Sequence, residues 1–123
     1  VIGPLCGSRY GDVAGFSRAV GTVIVYLDSC DYTCAQYCRA LHQLRLSGWF
    51  DNAAVVLIGR TGAQKVENLD QRAALLDALG DLDIPVLYDV DVGHLPPQLL
   101  LVNGASSRVR FGPTVKSVRQ TLA

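Results

Sequence analysis

Two polar side chains occupy places where an α/β domain puts its chemistry. Asp28 closes the apolar run Thr22-Val23-Ile24-Val25-Tyr26-Leu27, and His94 lies in Val92-Gly93-His94-Leu95, shortly after Ile84-Pro85-Val86-Leu87-Tyr88. Both runs read as buried parallel strands. Open α/β sheets bind their ligands beyond the carboxyl ends of the strands. A carboxylate and an imidazole delivered to that edge match the orienter and base of a hydrolytic triad. If Asp28 accepts from one ring nitrogen it fixes the tautomer, and the other nitrogen is left to take a proton. Gly93 lets the backbone approach closely or adopt positive φ, and Pro96 and Pro97 stiffen the exit from the loop. The plainer reading makes His94 a structural loop residue and Asp28 a turn former or helix cap.

No nucleophile stands in a convincing context. Gly7-Ser8-Arg9-Tyr10-Gly11 has a serine between glycines, but it lacks the G-x-S-x-G spacing and a strong strand before it. Arg60 is either a carboxylate binder or a solvated loop residue. Asp81, Asp83, Asp89 and Asp91 do not follow a calcium-loop spacing and read as a solvated face.

The elements that must position these residues alternate strand and helix. Residues 22–27 form the first strand. A helix capped by Asp31 or Thr33 comes next, with Tyr37, Leu41 and Leu44 on its apolar face and Gly48 at its end. Residues 53–58 form a second buried strand, closed by Gly59-Arg60. A second helix starts near Glu67 or Asn68, carries Leu69, Ala73, Leu76 and Leu79 on one face, and ends at Gly80. Residues 84–88 form the third strand. This β-α-β-α-β series predicts a parallel sheet. Residues 99–102 and 108–111, separated by Asn103-Gly104-Ala105-Ser106-Ser107, read as an antiparallel pair. Residues 114–123 fit a short final helix with Val115, Val118 and Leu122 inward. The first twenty residues are Gly-rich and weakly patterned. The fold class is therefore α/β, a parallel core with an additional antiparallel layer.

Bulk composition excludes several function classes. The chain has 123 residues, long enough for one domain with its own core. Half the residues are apolar and 18% are charged, which excludes a disordered chain. A formal net charge of zero argues against nucleic acid as a partner. No apolar run is long enough to span a bilayer, and no signal-peptide pattern opens the chain. The chain contains no Met, even at position 1. The expectation is a processed product, or a piece of something longer whose remainder could carry the nucleophile.

Cys30, Cys34 and Cys38 recur every fourth residue, and His42 extends the series. On a helix these form a slowly turning stripe whose neighbours could share a metal. No known zinc spacing fits, and disulfides within one straight helix are geometrically poor. Reduced thiols, Cys6 included, are the preferred reading, with no metal and no cofactor expected. The rival reading gives the stripe metal or redox work in a stand-alone module.

Four blocks together resemble the C-terminal domain of the LD-carboxypeptidase family of serine peptidases, the muramoyltetrapeptide carboxypeptidase and microcin C immunity peptidase type. Tyr10-Gly11-Asp12-Val13 with Val20-Gly21-Thr22 is similar to the family's G-G-N-L segment ending in G-T. Ile24-Val25-Tyr26-Leu27-Asp28 resembles its strand ending in a catalytic Glu. Arg39, Leu41, Leu44, Gly48 and Phe50 match its R-x-L-x-x-L-x-x-x-G-x-F helix and turn. Pro85-Val86-Leu87-Tyr88, Gly93-His94 and Gly104-Ala105 resemble its P-V-L strand, G-H and G-x-x-A pattern. The resemblance implies a swivelling β/β/α domain and a Ser-Glu-His triad split between two domains. His94 then takes the general-base position and Asp28 the orienting position, with Asp standing where the family has Glu. It further implies that residues 1–123 are the C-terminal domain of a two-domain peptidase, partnered by an N-terminal nucleophile domain. The implied substrate is a muropeptide or related peptide cut at an L,D-amide, in the cytoplasm, without metal or organic cofactor. A homodimer is expected, since a domain without its partner should expose an apolar patch. The alternative is a catalytically inactive relative that serves as a binding or interaction domain.

Overall fold

A seven-residue strand, Ala53–Gly59, runs through the middle of the molecule and is buried at every position but Ala54. A strand covered on both faces needs apolar residues throughout, and Ala-Ala-Val-Val-Leu-Ile-Gly supplies them. The computed structural model describes residues 3–122. In chain order, a 3-10 turn (Gly3–Leu5) precedes α1 (Val13–Val20), β1 (Val23–Leu27), α2 (Cys34–Leu46), β2 (Ala53–Gly59), α3 (Gln71–Leu79), β3 (Val86–Val90), β4 (Ser106–Phe111) and β5 (Lys116–Thr121). The strands β1, β2 and β3 form a parallel sheet in that order, and β4 and β5 form a separate antiparallel pair. The fold is thus the α/β class with an added antiparallel layer.

Both crossover helices pack on one face of the sheet. Val25 and Leu27 of β1 and Val56 and Ile58 of β2 share a core with Tyr37, Leu41 and Leu44 of α2 and with Ala74, Leu75, Ala78 and Leu79 of α3. Removing the buried side chain of Leu41 or Ile58 costs about 2–5 kcal/mol in such a setting. The opposite face of β1 meets the C-terminal segment, where the Tyr26 hydroxyl donates to Asn103 Oδ1 at 2.6 Å.

Local chemistry explains where the helices start. Thr33 caps α2 through a capping box with Gln36. Asp70 caps α3 by accepting from the Ala73 amide at 2.8 Å. The second helix therefore starts at Gln71, later than Glu67 or Asn68, and its buried face is Ala74, Leu75, Ala78 and Leu79, with Leu76 turned to solvent.

Two further expectations need correction. The antiparallel partner of β4 is β5, not residues 99–102. The expected final helix is therefore a strand, with Val118 and Gln120 on the less exposed face. Residues 99–102 run irregularly, and the Gln120 amide group bonds both Val102 N (2.8 Å) and Val102 O (3.1 Å), standing in for a strand neighbour. The early segment holds a helix, α1, capped by Asp12 through the Gly15 amide at 2.7 Å. Of the expected final helix, position 123 lies outside the described residues.

Candidate active site

The carboxyl end of β1 leads to Asp28, and the carboxyl end of β3 leads to His94. These strands are not neighbours, because β2 lies between them. The chain after β3 must therefore cross the end of β2 to bring the two residues together. Three backbone features make the crossing.

The first is a register irregularity. Leu57 pairs with Leu87 but Gly59 pairs with Val90, so β3 carries an extra residue, and Asp89 sits at φ +60°. A bulge of this kind bends the strand and redirects the chain beyond it. The second is Gly59. A Cβ there would collide with the Val92 carbonyl, so only glycine lets Val92 pass over β2. The third is Gly93, at φ +115°, whose missing Cβ leaves space for the Asp28 carboxylate.

The result is a direct contact. His94 Nδ1 lies 2.5 Å from Asp28 Oδ2. The carboxylate is largely covered, with its side chain 17% exposed, while the imidazole is 69% exposed. Oδ1 of Asp28 is buried and has no hydrogen-bond partner among the described residues. An ionised Asp28 makes Nδ1–H the donor, which leaves the Nε2 lone pair free.

The loop that carries His94 is tied at both ends. Arg60 donates to the Pro97 carbonyl at 2.8 Å and pairs with Asp91 Oδ1 at 2.5 Å. The Leu99 amide donates to the Asp91 carbonyl and the Gln98 side chain to the Gly93 carbonyl, both at 2.5 Å. Arg60 is thus a carboxylate binder whose carboxylate belongs to its own chain.

His94 borders a cleft of about 350 Å³, walled by residues 29–33, Arg60, Gly62, Gln64 and Leu95. The serine and threonine hydroxyls that wall it are already engaged. Ser29 Oγ is buried and shares a 2.8 Å bond with Thr61, and Thr33 caps α2. Cys30 also borders the cleft. Local desolvation and the Asp31 and Asp28 carboxylates push its thiol above the usual range, so it is not poised as a thiolate. Ser8 lies elsewhere. Its hydroxyl donates to the Leu5 carbonyl at 2.7 Å, and it lines a separate hollow with Gly7, Arg9 and Asp12. A second groove, of about 380 Å³, lies between β1 and the C-terminal segment and is lined by no carboxylate, imidazole or thiol.

The cysteine stripe splits. Cys30 precedes α2, Cys34 is buried at 1% exposure against the Ala63 carbonyl, and Cys38 with His42 faces α3. None of the four cysteines, all among the described residues, is in a disulfide. The sequence did not assign Gly59 and Arg60 as supports of the site, because that role arises only from the crossing loop. The signal was the Gly59-Arg60 pair closing a strand at the same edge as Asp28.

No helix among the described residues is long and apolar enough to cross a membrane. No curated protein matches the chain in sequence. Among solved structures, the chain is similar to a muramoyltetrapeptide carboxypeptidase from Oxalobacter formigenes, with 20% identity, a TM-score of 0.71, and coverage of 86% of this chain. The chain spans 36% of that structure's length, and at this identity the likeness is one of fold. A structure of the microcin C7 self-immunity protein MccF in complex with aspartyl sulfamoyl adenosine overlaps 55% of this chain and 21% of its own length, with 21% identity and a TM-score of 0.49. The family described as the LD-carboxypeptidase C-terminal domain matches residues 4–109, nearly the whole span from the 3-10 turn to β4, and the chain belongs to that family.

Proposed function

We propose that this chain is the base-carrying half of a serine-type LD-carboxypeptidase, the C-terminal domain of a two-domain peptidase. His94 is the general base and Asp28 its orienting acid. The nucleophilic serine comes from an N-terminal domain. The observation that carries the reading is the 2.5 Å contact between His94 Nδ1 and Asp28 Oδ2, on an exposed ring beside a cleft.

In the proposed reaction the serine Oγ attacks the carbonyl of an L,D-amide, and His94 Nε2 takes its proton. Asp28 holds Nδ1–H and stabilises the imidazolium that forms. The imidazolium then protonates the departing amine of the D-residue, and the C–N bond breaks to leave an acyl-serine. Water, deprotonated by the same ring, hydrolyses that ester and regenerates the hydroxyl. The reaction takes place in the cytoplasm on peptidoglycan-derived peptides, and it needs no group beyond the three side chains and the donors that hold the oxyanion.

The alternative of an inactive relative rested on a carboxylate one carbon shorter than the family's Glu. What favours the active reading is that Gly93 packs directly on the carboxylate and brings His94 within reach of it. The remaining surface supports a partner domain. Leu100 is 95% exposed, and Leu99, Val102, Phe111 and Leu122 are exposed as well. We assign the surface around Leu100 to contact with the N-terminal domain or with a second copy of the protein.

The test is release of D-alanine from a muramyl tetrapeptide. The full-length enzyme should turn over, and His94→Ala should lower kcat at least about a thousandfold. The 123-residue chain alone should be inactive. Robust release by that chain, or an unchanged rate in His94→Ala, overturns the proposal.

A further inference from the structure

On the helical side of the sheet, three different kinds of metal-binding atom converge. Cys38 and His42 are one turn apart on α2 and point to the same face. Asp77 belongs to α3. His42 Nε2 lies 2.8 Å from Asp77 Oδ2, and the Cys38 thiol donates to the same oxygen at 3.3 Å. The three ligand atoms all lie within 4.8 Å of one another. We propose that Cys38, His42 and Asp77 form a binding site for a zinc-class divalent cation at the seam between α2 and α3, with water in the fourth position.

The donor set selects the ion. One thiolate, one imidazole and one carboxylate suit zinc or cobalt, whereas magnesium and calcium require mostly oxygen ligands. The two ionised ligands carry two negative charges and match the cation. Tetrahedral bonds of roughly 2.0–2.3 Å place ligand atoms about 3.3–3.7 Å apart. The His42–Asp77 and Cys38–Asp77 separations need to open by only a few tenths of an ångström to reach that range.

The scaffold is rigid where it must be. Tyr37 and Leu41, beside the ligands on α2, are buried in the core. One turn further along, Arg45 clasps Asp81, just past the end of α3, through two bonds at 2.6 and 2.8 Å, and donates to the Ala78 carbonyl at 2.9 Å, which joins the same two helices. That clasp also occupies Asp81, which leaves solvent to complete the coordination. The side chains of His42 and Asp77 are 42% and 64% exposed, so water reaches the open position. An exposed His–Asp pair alone contributes little. The thiol on the same oxygen sets this cluster apart. No zinc spacing in one segment announces it, because the third ligand comes from a different helix.

The test uses the 123-residue chain, freed of metal by a chelator, kept reduced, and titrated with cobalt(II) and then zinc(II). About one cobalt per chain should bind, with a thiolate-to-cobalt charge-transfer band and the strong visible bands of four-coordinate cobalt. Zinc should bleach both and raise Tm. Cys38→Ser should abolish the charge-transfer band, and His42→Gln should weaken binding at least about tenfold. Cys30→Ser should change neither. His42 is partly exposed, so its variant decides the question even if Cys38→Ser folds poorly. A charge-transfer band that survives Cys38→Ser, or cobalt binding unaffected by His42→Gln, overturns the site.

Discussion

Asp28 combines a close contact to His94 with a structural liability. One carboxylate oxygen holds His94, and the other is buried without a partner among the described residues. An unsatisfied buried oxygen costs about 1–3 kcal/mol. A residue kept for stability alone would not carry that cost. Asp28→Asn should therefore change the unfolding free energy by less than about 1 kcal/mol while greatly lowering the rate of the full-length enzyme. Denaturant melts beside kinetics check both parts. The longer acid should be worse. Gly93 leaves no room for an added carbon, so Asp28→Glu should push His94 away and lower kcat. Activity equal to or above wild type in that variant would show that the loop yields easily. Both residues were legible in the sequence because strand ends have known positions. Their pairing was expected from those positions, but the path that makes it was not legible, because it depends on a bulge at Asp89 and on space at Gly59 and Gly93, which are properties of the backbone path.

Among the elements, β2 decides whether the site assembles. Gly59→Ala places a carbon against the Val92 carbonyl, so the crossing loop must lift. The expected outcome is a cost of about 1–3 kcal/mol, typical of overpacking, together with loss of the His94–Asp28 contact, visible as a shifted ring resonance in NMR spectra. The seam of α2 and α3 should respond to acid. Arg45 holds the Asp81 carboxyl below its usual value of 3.8, chiefly through their hydrogen bonds. A depressed folded value means that the contribution is full above the usual value and is lost as pH falls through the lowered one. The stability difference between wild type and Asp81→Asn should thus persist at neutral pH and shrink below about pH 4, as thermal melts across pH can show. The three-strand core was readable from its apolar runs. The C-terminal strand was not, because Val115, Val118 and Leu122 fit a helical spacing as well as Val118 and Gln120 fit alternation. The helix α1 did offer a signal. Val13, Phe16 and Val20 follow i, i+3, i+7 behind Asp12, but glycines on either side obscured it.

At the scale of the whole molecule, the most exposed large apolar side chain among the described residues is Leu100, 95% exposed in the C-terminal segment. A chain that exposes Leu100 so fully should associate through that region in the absence of a covering domain. Light scattering should find the 123-residue chain larger than a monomer, and Leu100→Lys should shift it toward one. Equal masses for both would place any association elsewhere. The path over β2 has one more consequence. Positions 28 and 94 meet only when both crossovers, the central strand and the returning loop have all taken their final places. A nicked or half-collapsed chain would keep the imidazole and the carboxylate yet lack the couple. The ring's own proton signal therefore serves as a built-in gauge of complete assembly.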